Sequence, residues 1–134
     1  MLGAVVIVGR LPINRRVFEP IVWRYGWRLR HVDDFQQLET SDDHHVVAVL
    51  FDLNDVGEPS RGIQMVAKAA PEALPIICHR FSERIHGLDM ATSGRYHALH
   101  YPFATNELQL SLGFAWEANR KRQLHSSSAY RAHV

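Results

Sequence analysis

The sequence predicts an α/β fold, a doubly wound five-stranded parallel sheet between two layers of helices. Three observations predict it. Val46-Val47-Ala48-Val49-Leu50-Phe51-Asp52 sets six apolar residues in a row before a single carboxylate, and Ala4-Val5-Val6-Ile7-Val8 is a second continuous apolar run, closed by Gly9. Runs without alternation are strands buried on both faces, as in a parallel sheet with helices on either side. Between the strand-like runs lie segments of helical spacing, and strand–helix–strand repetition builds right-handed crossovers.

Taken in order, Ala4–Val8 is the first strand and Arg10-Leu11-Pro12-Ile13 a loop. Asn14 caps a helix to about Tyr25, with Val17, Phe18, Ile21, Val22 and Tyr25 on its inner side. Pro20 removes a backbone donor within it and is expected to kink it or delay its start; Gly26 ends it. Trp27–Val32 alternates, which predicts an edge strand with one buried face, Arg28 and Arg30 on the outer face discouraging edge-to-edge pairing. Asp33 or Asp34 caps a short helix through Leu38. Ser41-Asp42-Asp43-His44-His45 is a polar loop into the central strand, Val46–Asp52.

A loop rich in turn formers, with Gly57, Pro59, Ser60 and Gly62, follows Asp52. Ile63–Ala70 is a helix stopped by Pro71. Leu74–Cys78 is the fourth strand. Ser82 caps a helix to about Met90, and His97–Tyr101 is the fifth strand, ended by Pro102. Thr105 caps a last helix with Leu108, Leu112, Ala115 and Trp116 on one stripe; Arg120, Lys121 and Arg122 suit the negative end of its dipole. Ser126-Ser127-Ser128 opens a flexible tail or linker, so residues 1–123 are expected to form one domain and 124–134 its tail. The charged, alternating strand belongs at an edge, and the flavodoxin-like order 2-1-3-4-5 puts it there with the third strand central. Asp52 then lies at the carboxyl edge of the sheet, where ligands of open α/β sheets bind.

Composition narrows the function. With 134 residues, 46% of them hydrophobic, the chain can bury a core as one domain. A net charge of +1 gives no field that would draw this domain to nucleic acid or to a membrane. The apolar start is too short for a membrane span or signal peptide, so a cytoplasmic location is expected. Cys78, the lone cysteine, is expected to be a buried small hydrophobe. Asp42-Asp43-His44-His45 lacks the spacing of a metal site and reads as a solvated loop. No Gly-rich phosphate loop follows the first strand and no nucleophile motif is present. No enzyme activity, cofactor or metal is expected.

Pro102-Phe103 followed by Glu107-Leu108, Asp52-Leu53 at the end of the third strand and Leu74-Pro75-Ile76-Ile77 in the fourth together resemble the receiver domains of two-component response regulators, over residues 4 to about 123. The resemblance implies that Asp52 is equivalent to the phosphoacceptor. The departures matter as much. Receivers place paired acids after the first strand to hold Mg²⁺, and Gly9 and Arg10 stand there. His79 or Arg80 fills the Ser/Thr slot after the fourth strand. Tyr101 replaces the Lys before Pro102. Pro59 and Gly62 stand later than the usual Pro and Gly, in a loop about two residues longer. Phosphoryl transfer to a carboxylate relies on Mg²⁺ and positive charge, so phosphorylation-independent signalling is expected; a phosphorylated receiver is the alternative.

Gly3-Ala4-Val5-Val6-Ile7-Val8-Gly9, Tyr25-Gly26-Trp27 and Asp52-Leu53 further resemble the degenerate receivers of bacterial sigma-54-dependent enhancer-binding regulators of biofilm or flagellar genes, the biofilm branch in particular. That resemblance implies an attached AAA+ ATPase and helix-turn-helix output for transcription regulation, and cyclic di-GMP as a candidate partner; Arg80 and Arg84, four residues apart near a helix start, could hold a phosphate, although an exposed salt-bridging turn is the expected reading of that pair. An Arg10 or Arg80 pair with Asp52 is expected to stand in for the metal. Leu110 and Phe114, with Trp116 adding to them, form a second apolar stripe on the last helix. It is the candidate face of a homodimer built on the last strand and last two helices.

Overall fold

The computed structural model describes residues 3–40, 45–80 and 96–132. Five strands, β1 (Ala4–Val8), β2 (Arg28–Val32), β3 (Val46–Asp52), β4 (Leu74–His79) and β5 (His97–His100), form one sheet with every pair parallel and the order β2-β1-β3-β4-β5. The predicted class and strand order are those observed. Helices α1 (Arg15–Arg24) and α5 (Thr105–Ala132) pack on one face; α2 (Phe35–Thr40), α3 (Leu53–Val56) and α4 (Pro59–Ala69) lie on the other. The predicted helix from Ser82 falls outside the described residues.

Two cores result, because successive strand residues point to opposite faces. Val5 and Ile7 of β1 join Phe18, Ile21, Val22, Leu108 and Leu112, while Ala4, Val6 and Val8 join Leu38, Val66 and Phe51. The β1–β3 pairing slips between Ala4 and Val5, so that Ala4 pairs with Val46 but Val5 with Ala48. The extra residue, Val47, lets Val47 and Ala48 both enter the α1/α5 core.

Asn14 accepts a hydrogen bond from the Arg16 N–H at 3.0 Å, as a cap should. Helix α1 starts directly after it and runs through Pro20 without the delay expected. Val17, placed inside from its spacing, is 39% exposed. Gly26 takes a φ of 78°, which ends the helix. Strand β2 buries residues on both faces rather than one. Leu29 enters the α1/α5 core and Val32 the other, because α2 covers that end. Asp34 caps α2 through the Gln37 N–H at 2.8 Å, and Gln37 Oε1 accepts from the Asp33 N–H at 2.7 Å; the helix runs to Thr40, two residues past Leu38.

The segment after Asp52 is a correction. It is helical over Leu53–Val56, and α4 begins at Pro59, four residues before the spacing suggested. Pro59 is at home in a first turn, where its missing N–H has no partner to lose. Gly62 was read as a turn former; it is a buried residue of α4 pressed on Phe51. At the far end, Ala104 rather than Thr105 holds the cap position of α5, its carbonyl accepting from the Glu107 and Leu108 N–H groups. The helix does not stop near Arg122 but continues through Ser126–Ser128 to Ala132, where a flexible tail was expected. Among the described residues no helix is long and apolar enough to cross a membrane.

Candidate functional site at the carboxyl edge of the sheet

Asp52 ends β3 at the centre of the carboxyl edge, as its sequence position predicts. Each of its oxygens has a partner. Oδ1 accepts from the Asn54 N–H at 2.9 Å, which makes Asp52 the N-cap of α3. Oδ2 accepts from the Tyr101 hydroxyl at 3.1 Å. Tyr101 follows β5 and is only 5% exposed, and its ring is the platform for the Arg80 guanidinium, whose central carbon stands 5.1 Å from the ring centroid. Burial first, then the Asp52 charge and hydrogen bond, push the Tyr101 hydroxyl up from its ordinary value, against a smaller downward pull from Arg80.

This arrangement replaces the expected ion pair. Among the described residues no salt bridge joins Asp52 to Arg10 or to Arg80. Arg10 is exposed at the mouth of the edge, and Arg80 stacks on Tyr101 instead. Tyr101 stands where receivers have a Lys, and its phenol reaches Asp52 from that place. A donor on a side chain held next to a strand-end acid was the signal.

Gly9 closes β1 with a φ of 77°. A Cβ built on it would stand 2.7 Å from Asp55 Oδ2. The carboxylate beside β1 therefore comes from α3, three residues after Asp52, and not from the strand's own end. Burial, and next the Asp52 charge, push Asp55 up from the usual carboxylate value. A raised acid is favoured in its protonated form by folding, so its contribution is present below the unfolded value near 3.8 and is lost as pH rises through the folded one. Asp55→Asn should therefore raise the melting temperature at pH 7 and leave it unchanged at pH 3, measured by thermal denaturation at both.

The remaining edge groups are histidines and a thiol. His31 Nε2–H donates to the Gly9 carbonyl at 2.6 Å, tying β2 to the β1 turn. His79, buried at the end of β4, meets His100 edge to face with ring centroids 5.5 Å apart, and His100 Nε2–H donates to the Arg80 carbonyl. Cys78 is buried as expected, and burial followed by the Asp52 charge pushes its thiol well up, which makes it inert. Tyr101–Pro102 is a cis peptide bond. His45, read as part of a polar loop, donates to Asn119 Oδ1 at 2.9 Å and so ties the opposite edge to α5. Asp42–His44 and Phe81–Arg84 lie outside the described residues.

Beside Gly9 and Arg10 the edge opens into a cavity of about 630 Å³, bordered by Asp33, Asp34, Phe35, Asp55 and Met65. A smaller one of about 260 Å³ opens on the α1 side, between Leu11, Ile13, Arg15 and His31. Neither includes Asp52.

The fold places this edge among known proteins. The chain superimposes on a response regulator from Thermotoga maritima with a TM-score of 0.66 at 12% identity, covering 87% of this chain and 99% of that one. It superimposes on the signal receiver domain of a putative LuxO repressor protein from Vibrio parahaemolyticus with a TM-score of 0.65 at 15% identity, covering 92% and 97%. This chain has the receiver-domain fold. It also aligns along its whole length with NtrX from Brucella abortus, with a TM-score of 0.71 at 18% identity, and there it spans only 30% of the longer chain. No protein-family model matches the sequence and no curated protein matches it.

Receiver folds imply Mg²⁺ at this edge, and the residues present do not fit it. Both Asp52 oxygens are engaged, an Arg stands where the strand-end acid would be, and a carboxylate on residue 9 would meet Asp55. Among the described residues no group of three or more His, Cys, Asp or Glu is placed to hold a metal ion. Mg²⁺ demands a near-octahedral oxygen shell with one or two carboxylates, and the strand-end acids that would join Asp52 in it are Gly9 and Arg10 here.

Proposed function

We propose that this chain is a receiver-like signalling domain that works without phosphorylation of Asp52 and regulates the dimerisation or oligomerisation of an attached transcriptional output. The observation that carries the reading is the capture of both Asp52 oxygens by Asn54 and Tyr101. Each hydrogen bond draws charge from an attacking carboxylate, which also relies on Mg²⁺ and a cation to gather the charge that develops on the phosphoryl group. At Asp52 a neutral phenol holds Oδ2, and Arg80 is engaged with the same tyrosine. The edge therefore serves to fix β3 against β5 rather than to turn over phosphate. Its role is regulatory and not enzymatic, and the length of the NtrX chain, of which this chain spans 30%, supports an attached output domain.

The output side of such a domain is its β5/α5 face. Leu110 and Phe114 are 58% and 51% exposed there, and the His97 ring lies on Phe114 with centroids 4.8 Å apart. Trp116 does not extend this stripe. Two residues turn a helix by about 200°, so it stands roughly 160° from Phe114 and takes Arg120 over its ring at 5.5 Å.

Incubation with acetyl phosphate and Mg²⁺ followed by intact-mass measurement tests the reading. The expected result is no mass gain at any Mg²⁺ concentration. Gain of one phosphoryl group, lost in Asp52→Asn, would establish the phosphorylated alternative instead.

A further inference from the structure

Helix α5 carries its exposed apolar residues in a pattern that selects a partner. Leu110 and Phe114 differ by four residues, so they form one ridge, and each stands about 160° round the helix from the buried Leu112. Glu107 and Lys121 are both exposed and lie seven residues before and after Phe114. Seven residues bring a helix back to within about 20°. The ridge therefore reads acid, leucine, phenylalanine, cation, with Phe114 at its midpoint. Glu117 is tied to Arg120 of its own helix at 3.2 Å, which leaves Glu107 and Lys121 as the charges the ridge presents. His97 backs the Phe114 ring from β5.

We infer that α5 pairs with α5 of a second copy of this chain, antiparallel and centred on Phe114, with Glu107 of each copy meeting Lys121 of the other. The inference rests on the reading that the domain works through self-association. In this register Phe114 packs on its counterpart, Leu110 covers Ala118 of the second copy, and two opposite-charge pairs close the ends about 21 Å apart. A parallel pair would set Glu107 against Glu107 and Lys121 against Lys121, so charge complementarity selects the antiparallel arrangement.

Sedimentation equilibrium on the whole chain and on four variants tests it, with circular dichroism confirming that these surface changes leave the fold intact. The wild type is expected to dimerise and Phe114→Glu to be monomeric. Glu107→Lys and Lys121→Glu should each weaken dimerisation about tenfold, and the double variant should return close to wild type. If Phe114→Glu dissociates the dimer but the double variant fails to compensate, the register is wrong while self-association stands. A dimer that survives Phe114→Glu places the interface elsewhere and overturns the inference. A wild type monomeric at high micromolar concentration removes the self-association reading as well.

Discussion

Gly62→Ala is expected to destabilise the protein by about 3 kcal/mol, at the upper end for overpacking a core. The added methyl would overlap two carbons of the Phe51 ring and stand 3.1 Å from Val56. Phe51 is fully buried and meets Phe35 edge to face at 5.7 Å, so its ring has no free side to retreat to. Ala ordinarily strengthens a helix by up to about 1 kcal/mol over Gly. The contact here outweighs that gain, because α4 lies on the sheet at a distance only a bare Cα permits. Urea titration of the variant should show a lower midpoint at an unchanged slope. Adding Phe51→Leu should cost less in the Gly62→Ala background than in the wild type, because the smaller side chain makes room for the methyl. Additive losses would mean that the ring is not what the methyl strikes.

Tyr101→Phe is the second large effect. It keeps the ring under Arg80 and removes the hydroxyl, and with it the donor to Asp52 and the contact Arg80 makes with that oxygen. A hydrogen bond to a charged acceptor contributes about 1.5–3 kcal/mol, and a loss of that order is expected at neutral pH. The pH profile identifies its source. The Tyr101 hydroxyl is raised in the folded protein, so the protonated form is favoured by folding. Its contribution is complete below the unfolded value near 10.0 and is lost as pH rises through the folded value. The wild type should therefore lose stability in that alkaline window. Tyr101→Phe should lack this component while retaining whatever the other tyrosines and lysines contribute. Denaturant midpoints measured from neutral pH to above pH 10 compare the two. Parallel curves would show that the phenol does not couple to Asp52.

The strand order was legible because the apolar runs of β1, β3 and β4 are continuous while β2 alternates, and the flavodoxin-like order puts that charged strand at an edge and β3 in the centre. Asp52 was legible for the same reason, as the first polar residue after the longest run. What escaped was local. Pro59 and Gly62 carry the composition of a turn, yet Pro is favoured at a helix start and a Gly inside a helix can mark a close approach, so α4 was placed four residues late. Val17 has helical spacing with Phe18 and Ile21 but lies at the margin of the buried face. Trp116 was assigned to a stripe by being large and apolar, although its angle on the helix excludes it.

At the site, the losses were legible one at a time and their joint effect was not. Gly9 and Arg10 remove the acids of a metal site, and Tyr101 removes a Lys. An Arg was expected to answer Asp52 because charge alone was weighed. The geometry favours the phenol, since Tyr101 follows β5 and its ring reaches past β4 to bring the hydroxyl to Asp52, while Arg10 is exposed. Asp55 shows the same point from the other side, a carboxylate supplied to the end of β1 by a helix that composition did not reveal.

Helix α5 passes the last buried residues of the sheet and keeps its winding to Ala132. The ten residues beyond Arg122 make a stiff spar about 15 Å long. A spar of this kind carries torsion as well as distance. One residue inserted in it would swing anything joined to its far end through about 100°, while seven would restore the heading to within about 20° at the cost of a longer reach. Orientation, and not only proximity, can then be passed along the chain.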